Sequence, residues 1–245
     1  MKGAIKHILH RFRRITEFAK RVLPYRIQLF IFASIYEPEI LFLQGLLSKT
    51  QGVAVDVGAN QGIYTYMLSR KCKFDRVYAF EPNLAIYGVL IRKTKKFQNV
   101  KIVNMGISDT AGKLTLNIPI NDKGDKITTR STFEQVEEEH EKAEISVATL
   151  DSFNLENVTF IKIDTEGHEG NVLDGAYDVI SRCRPVLMVE IDEQYAMERI
   201  KKINEWGYDC YCYDRGKLSK VTLTDFCYSK CNFLFFPRDV DAARG

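Results

Sequence analysis

Val53-Ala-Val-Asp-Val-Gly-Ala-Asn-Gln-Gly62 is the stretch of this sequence that decides the fold. It begins with three valines around Asp56, a pattern typical of a buried β-strand. Gly58 and Gly62 then allow a sharp turn, and Ile63-Tyr-Thr-Tyr-Met-Leu68 continues as a predicted helix. A strand, a glycine turn and a helix form the first unit of a nucleotide-binding fold, in which N–H groups at the start of the helix face a polar or anionic ligand group.

Two carboxylates indicate which nucleoside this unit binds. The pattern from Asp56 is D-x-G-x-N-x-G, whereas the dinucleotide pattern is G-x-G-x-x-G. A carboxylate at Asp56 would repel a pyrophosphate but suits an amino group or a sulfonium. Glu81 lies 25 residues later, directly after the apolar strand 76–80, where a carboxylate can accept hydrogen bonds from both ribose hydroxyls. The pair predicts S-adenosylmethionine, and the alternative is an ordinary strand–turn–helix with incidental acids.

The composition is that of a soluble globular protein, with 245 residues of which 45% are hydrophobic and 27% charged. This length fits one large α/β domain, alone or with an appendage. We expect the six cysteines to be reduced thiols in a cytoplasmic protein, because no secretory signal precedes them. The spacing of Cys210, Cys212, Cys227 and Cys231 fits a zinc site poorly, so we predict no metal there.

The first 26 residues carry most of the positive charge. They hold eight Lys or Arg against Glu17 alone, which is +7, so the rest of the chain is −4 because the whole is +3. Apolar residues recur at helical spacing over 1–23, which predicts an amphipathic helix that ends or kinks at Pro24. This helix either contacts an anionic membrane peripherally or caps the domain with a solvated basic face.

The chain therefore divides into an N-terminal basic helical segment, 1–48, and one domain, 49–245. No basic stripe runs across the whole chain, so a nucleic-acid partner is not indicated.

Short apolar strands and helical stretches alternate from Val53 onward. The predicted core strands are 53–57, 76–80, 100–109, 158–163 and 185–191, and the predicted helices between and after them end near 71, 96, 182 and 206. Such alternation predicts an α/β fold with a mostly parallel central sheet and helices on both faces. Residues 208–213 and 232–236 alternate polar and apolar side chains, which predicts an antiparallel C-terminal strand pair.

Residues 121–144 interrupt this regularity. They follow 112–118, which alternates like an edge strand or a hairpin arm, and they contain a turn cluster, a polar stretch and the strongly acidic run 134–144. We interpret them as a mobile, solvated surface insertion. The second interpretation is that the insertion closes over a substrate.

Polar residues gather where the predicted strands end. They are Asp56 to Gly62, Glu81, Asn104 to Asp109, Asp164 to Glu169, and Glu190. Because the carboxyl ends of parallel strands meet at one edge of a sheet, and ligands of such sheets bind there, we predict the functional site at this edge.

Several of these motifs occur together in one known family. They are Tyr36-Glu-Pro-Glu39, Asp56-Val-Gly-Ala-Asn-Gln-Gly62, Phe80-Glu-Pro82, Gly106-Ile-Ser-Asp109, Thr149-Leu-Asp151, Ile161-Lys-Ile-Asp-Thr-Glu-Gly-His-Glu169 and the stretch from Arg184-Pro185 to Glu190. With these motifs the chain resembles the FkbM-type S-adenosylmethionine-dependent methyltransferases over residues 36–191. The resemblance implies a Rossmann-like methyltransferase fold.

The resemblance also implies an activity and a set of binding residues. The activity is O-methylation of a hydroxyl on a sugar, glycan, glycolipid or related natural product. The implied cofactor-binding residues are Asp56, Gly58, Asn60, Gly62, Glu81, Pro82, Ser108 and Asp109. Three alternatives stay open: N- or O-methylation of a small non-sugar metabolite, a catalytically silent nucleoside-binding partner subunit, and, disfavoured by Asp56, a nicotinamide oxidoreductase.

The acidic turn after the fourth core strand is the predicted reacting centre. An alcohol is a weak nucleophile, so its proton needs a base or a metal ion. Asp164, Glu166 and His168 are the candidate catalytic residues, with Glu169 as a fourth candidate. Asp164 and Glu166 could instead bind a divalent ion or orient a sugar hydroxyl. The plain alternatives are a structural histidine, and acids favoured at the start of a helix by its dipole.

Overall fold

A computed structural model describes residues 27, 39–121, 124, 126–127, 131–137, 139–214, 216–222 and 231–239. The predicted amphipathic helix 1–23 lies outside these residues, so its contact with a membrane or with the domain stays a prediction. None of the helices described is both long and apolar enough to cross a membrane.

An eight-stranded sheet forms the centre of the domain. Its strands are β1 (Val53–Val57), β2 (Arg76–Phe80), β3 (Val100–Val103), β7 (Val158–Ile163), β8 (Val186–Ile191), β9 (Tyr208–Asp214), β10 (Lys217–Lys220) and β11 (Cys231–Pro237), in the order β10-β9-β11-β8-β7-β1-β2-β3. The strands from β8 to β3 are parallel to one another, and β11 is antiparallel to both of its neighbours, β8 and β9. This confirms the mostly parallel sheet with an antiparallel C-terminal pair.

A three-stranded sheet lies beside it, with β4 (Gly106–Ile107), β5 (Gly112–Pro119) and β6 (His140–Ala148) in the order β4-β6-β5. The single strand predicted over 100–109 was wrong, because its two halves belong to different sheets. The chain turns between them at Asn104, whose side-chain amide donates to the carbonyl oxygens of Glu81 and Pro82 at 2.8 and 3.0 Å.

The predicted insertion is also shorter than 121–144. Residues 140–148 are strand β6, and residues 140–147 of this strand pair with β5. The acidic residues of this strand, Glu141 and Glu144, are both exposed, and Glu144 forms an ion pair with Lys113 across the hairpin at 2.6 Å. Part of the acidic run is therefore an exposed strand, on which cross-strand pairs of opposite charge are favourable.

Helices cover both faces of the central sheet. They are α1 (Glu39–Leu46), α2 (Ile63–Lys71), α3 (Leu84–Thr94), α4 (Glu169–Asp174), α5 (Tyr177–Cys183) and α6 (Glu193–Glu205). Successive residues of β1 enter two different cores, because side chains alternate across a strand. Val55 packs in the core that contains Val172 of α4, and Ala54 packs in the core that contains Met67 of α2.

The helix predicted to run unbroken to residue 182 is two helices that meet at Gly175. A Cβ atom added at Gly175 would lie 1.9 Å from the carbonyl oxygen of Ser108. The α4–α5 junction therefore packs directly on the backbone that follows β4, and this contact joins the small sheet to the central one.

We predict that Gly175→Ala destabilises the domain, because the added methyl group has to displace backbone atoms. Overpacking of this kind costs about 1–3 kcal/mol, which lowers Tm by roughly 2–10 °C in a domain of this size. Gly112→Ala is the matched control, since no atom lies within 4 Å of its added Cβ. Thermal unfolding of both variants measures the difference, and equal Tm values would contradict the close contact.

Candidate active site

A cavity opens at the carboxyl edge of the central sheet, beside the ends of β1, β2 and β7. The residues that line it are Val57, Gly58, Asn60, Phe80, Glu81, Pro82, Met105, Gly106, Ile107, Leu116, Ser131, Phe133, Asp164, Thr165 and Glu166. Polar groups of the strand ends thus lie on one side, with apolar side chains from the small sheet and its connections on the other. The sequence predicted this edge, and the structure brings Gly58, Asn60, Glu81, Pro82, Asp164 and Glu166 together there.

The β1–α2 turn forms one wall of the cavity. Gly58 has a φ of 76°, and a Cβ atom added to it would lie 1.8 Å from the carbonyl oxygen of Asp164. The N–H groups of Gly58 and Ala59 both donate to the carbonyl oxygen of Phe80, at 3.1 and 2.9 Å. Gly62, with a φ of 88°, is the residue from which α2 begins and is not among the lining residues.

Glu81 is the carboxylate that β2 presents to the cavity. It is 6% exposed and accepts the backbone N–H groups of Asn60 and Asn83, both at 2.8 Å. Burial raises the pKa of Glu81 to about 7, although these two hydrogen bonds favour the charged form. Glu81 therefore ties the β1–α2 turn to the start of α3 and remains within reach of a ligand.

Asp56 has a different position from the one the sequence suggested. It is fully buried, does not line the cavity, and accepts the hydroxyl of Thr65 on α2 at 2.6 Å. Strand alternation places it on the same face as Ala54, beneath α2. Burial raises the pKa of this carboxyl group, and the nearby ammonium of Lys162 opposes that shift. Asp56 therefore supports the turn from behind.

Lys162 is a buried residue beside the cavity that the sequence reasoning missed. It is 2% exposed, and its Nζ lies 2.9 Å from Oδ2 of Asp164, 3.8 Å from Oδ1 of Asp56 and 4.7 Å from the ring centroid of Tyr64. The signal was present, because a lysine in the middle of a buried apolar strand needs an anionic partner. Lys162 connects the carboxylate behind the turn to the one at the cavity.

Three carboxylates converge where β7 and β8 end. Asp164, Glu166 and Glu190 are half-buried, and one oxygen of each lies within 4.8 Å of the other two. Glu166 reaches this position with a φ of 53°, in the left-handed region. Oxygen ligands at this separation could hold a divalent cation, so Glu190 joins the two acids that the sequence named as candidate ligands.

The remaining predicted residues lie outside the cavity lining. Glu169 is 2% exposed and accepts the N–H groups of Thr165 and Gly167 at 3.1 and 2.9 Å, and Arg199 at 2.5 Å. This is the structural role that the start of a helix favours. Ser108 is buried, and its hydroxyl contacts the exposed Asp109 at 2.9 Å and Nε2 of His168 at 3.0 Å.

Comparison with known proteins agrees with this architecture. The crystal structure of methyltransferase FkbM from Methylobacillus flagellatus KT aligns with 92% of this chain and 59% of that one, with a TM-score of 0.54 and 19% identity. Methyltransferase sdnD of Sordaria araneosa is 27% identical over 152 residues, which are 49% of this chain and 59% of sdnD. The chain thus spans about three-fifths of the length of each of these two relatives.

The family comparison covers the residues that build the site. The methyltransferase FkbM domain matches residues 56–210, from Asp56 behind the turn to Cys210 in β9. This range contains Glu81, the Asp164–Glu169 turn and Glu190, and it is more than half of the chain. The chain therefore belongs to the FkbM methyltransferase family.

Proposed function

We propose that this protein transfers a methyl group from S-adenosylmethionine to a hydroxyl of a sugar, glycan, glycolipid or related natural product. The observation that carries the proposal is that Glu81, Asp164 and Glu166 line one and the same cavity. Glu81 suits a ribose, and Asp164 and Glu166 suit a hydroxyl that must lose a proton. Methylation of a small non-sugar metabolite is the second candidate, because the same acids could serve it.

The lining residues fit the cofactor by their chemistry. Glu81 is a buried carboxylate that can accept hydrogen bonds from ribose hydroxyls in addition to the two backbone N–H groups it already binds. Met105, Ile107 and Phe133 offer an apolar surface for an adenine base. The acids near the cavity favour a cationic ligand, and they would oppose the pyrophosphate of a dinucleotide.

When bound, S-adenosylmethionine supplies a methyl group that is already activated by the sulfonium charge. The protein then has to align an acceptor oxygen and take its proton. We assign this role to Asp164, because it lines the cavity and Lys162 restrains its carboxylate at 2.9 Å. A divalent ion held by Asp164, Glu166 and Glu190 is the alternative means of lowering the pKa of the acceptor hydroxyl.

Glu81→Ala tests the cofactor side. Loss of a charge-assisted hydrogen bond costs about 1.5–3 kcal/mol, so we expect S-adenosylhomocysteine to bind about ten- to a hundred-fold more weakly in calorimetry. Asp151→Asn is the matched control, because its carboxylate also accepts two backbone N–H groups, those of Asp178 and Val179, but lies outside the cavity. Unchanged affinity in folded Glu81→Ala would rule out this role.

The raised pKa of Glu81 predicts how binding depends on pH. Only the ionised form accepts two ribose hydroxyls, and a pKa of about 7 means that its ionised fraction falls roughly tenfold between pH 8 and pH 6. We therefore expect the affinity for S-adenosylhomocysteine to fall by about tenfold over this interval. Glu81→Gln should remove this part of the pH dependence, and an equal slope in both proteins would assign it to another group.

Asp164→Asn tests the reacting centre. Removal of a general base or a metal ligand lowers turnover by about 10²–10⁴-fold, whereas cofactor affinity should change little. Asp174→Asn is the control, since this carboxylate pairs with Lys202 at an exposed position away from the cavity. Turnover is followed with labelled methyl donor across a panel of hydroxylated acceptors.

A chelator then separates the two roles of Asp164. If activity disappears and returns with added divalent ion, the three acids bind a metal; if it persists, Asp164 is the base. Wild-type turnover in Asp164→Asn would place the reacting centre elsewhere. Cofactor binding without transfer to any acceptor would favour a silent partner subunit.

A further inference from the structure

Residues 131–134 belong to no core strand, and two of them, Ser131 and Phe133, line the cavity. We call them the wall segment. They follow the turn after β5, and the side chains of Ser131 and Phe133 line the cavity opposite Gly58 and Asp164. From the sequence we interpreted this region as a mobile insertion, but the wall segment has two sets of hydrogen bonds to the rest of the domain.

One set of contacts fastens the wall segment to β5 and α3. Thr132 and Asn117 exchange two backbone hydrogen bonds, at 2.8 and 3.0 Å, and the side-chain amide of Asn117 donates to the carbonyl oxygen of Glu134 at 2.8 Å. The side chain of Asn83 donates to the hydroxyl of Ser131 at 3.2 Å. These contacts fix the position of the wall segment relative to β5 and to the start of α3.

A second set fastens it to the turn after β7. The hydroxyl of Thr132 donates to the carbonyl oxygen of Glu166 at 2.7 Å, and Oε1 of Glu134 lies 3.0 Å from Nδ1 of His168. The ring of Phe133 meets the His168 ring edge-on, with centroids 5.1 Å apart. A Cβ atom added at Gly167 would lie 3.0 Å from Cγ of Glu134, so the turn approaches the segment closely.

His168 uses both of its ring nitrogens in this arrangement. Nδ1 contacts Glu134, Nε2 contacts the hydroxyl of Ser108 at 3.0 Å, and the residue is 5% exposed. Because the Glu134 carboxylate can only accept, its hydrogen bond requires the proton on Nδ1, and Nε2 faces the Ser108 hydroxyl. His168 is therefore not placed to take a proton from a molecule in the cavity, although its sequence position beside Asp164 made it a candidate base.

We propose that Glu134 and His168 form a clasp that holds the wall segment against the Glu166–His168 turn, and that His168 is a positioning residue of the cavity. The inference rests on the proposed function, since it assigns the clasp to the wall of the cofactor and acceptor site. Ser108 contacts Nε2 on the buried side of the imidazole. Glu134, whose side chain is 49% exposed, contacts Nδ1 at the protein surface. The contact between Glu134 and His168 thereby holds the neighbouring Phe133 in the cavity wall.

A double-mutant cycle tests the clasp in the full-length protein. Glu134→Ala removes the carboxylate, and His168→Gln removes the Nδ1 contact while it keeps an amide near the position of Nε2. Each single variant should weaken S-adenosylhomocysteine binding by about tenfold, and the double variant should be no weaker than the singles, because all three lose the same connection. Glu137→Gln, an exposed acid three residues further along, is the control for loss of charge.

Hydrogen exchange gives a readout that needs no ligand. The amide N–H group of Thr132 donates to Asn117 O of β5 at 3.0 Å, and that of Glu134 donates to Thr132 Oγ1 at 3.0 Å. Both should exchange faster in Glu134→Ala than in Glu137→Gln, while amides of the central sheet stay unchanged. Because the Glu134 side chain is 49% exposed, we expect Glu134→Ala to fold. The exchange measurement on this variant therefore tests the clasp even if His168→Gln does not fold.

The outcomes separate this inference from the proposed function. Failure of the wild-type protein to bind S-adenosylhomocysteine overturns the proposed function, and the exchange experiment still decides the clasp. Normal binding and normal exchange in Glu134→Ala overturn the clasp alone. Additive losses in the double variant, or loss of turnover in His168→Gln but not in Glu134→Ala, would give His168 a role of its own and also overturn the clasp.

Discussion

The contact between the β1–α2 turn and the backbone after β7 is the constraint on which the site depends. The turn passes so close to the carbonyl oxygen of Asp164 that residue 58 has no room for a side chain, and its φ of 76° favours glycine as well. Because β1 and β7 are adjacent parallel strands, this contact aligns their ends. It brings Asp164 and Asn60 to one cavity, where Glu81 accepts a hydrogen bond from the N–H group of Asn60 in the turn.

Buried charged side chains lie at the carboxyl edge of the central sheet, next to the cavity. Asp56, Lys162 and Asp164 form a row from the core beneath α2 to the cavity, with the lysine between the two carboxylates. A lone buried charge would be costly, but here the ammonium compensates the acid behind the turn and restrains the acid at the cavity. Glu81 accepts two backbone N–H groups, and its burial raises its pKa to about 7.

The small sheet supplies the apolar part of the cavity lining. The strand ends supply polar groups, whereas Ile107 of β4, Leu116 of β5 and Phe133 of the wall segment supply the apolar surface that faces them. Gly175 joins the two parts by its close approach to the backbone of Ser108. Ser108 in turn contacts His168, so the packing of the small sheet and the position of the wall segment are linked through one buried imidazole.

The sequence by itself determined the elements whose cause is local. The valines of β1, the glycines of its turn and the alternation of strands and helices predicted the parallel sheet, because buried strands and sharp turns require these residue types. The position of Glu81 directly after β2 was enough to place it at the cavity. The tertiary structure decided which polar residues face the cavity. Asp56 and His168 stand in the same motifs as lining residues, but the pleat turns Asp56 beneath α2, and Ser108 and Glu134 enclose His168. Glu190 and the wall segment acquire their roles from partners far away in the chain, as Lys162 does from Asp56, and such pairings cannot be read from local spacing.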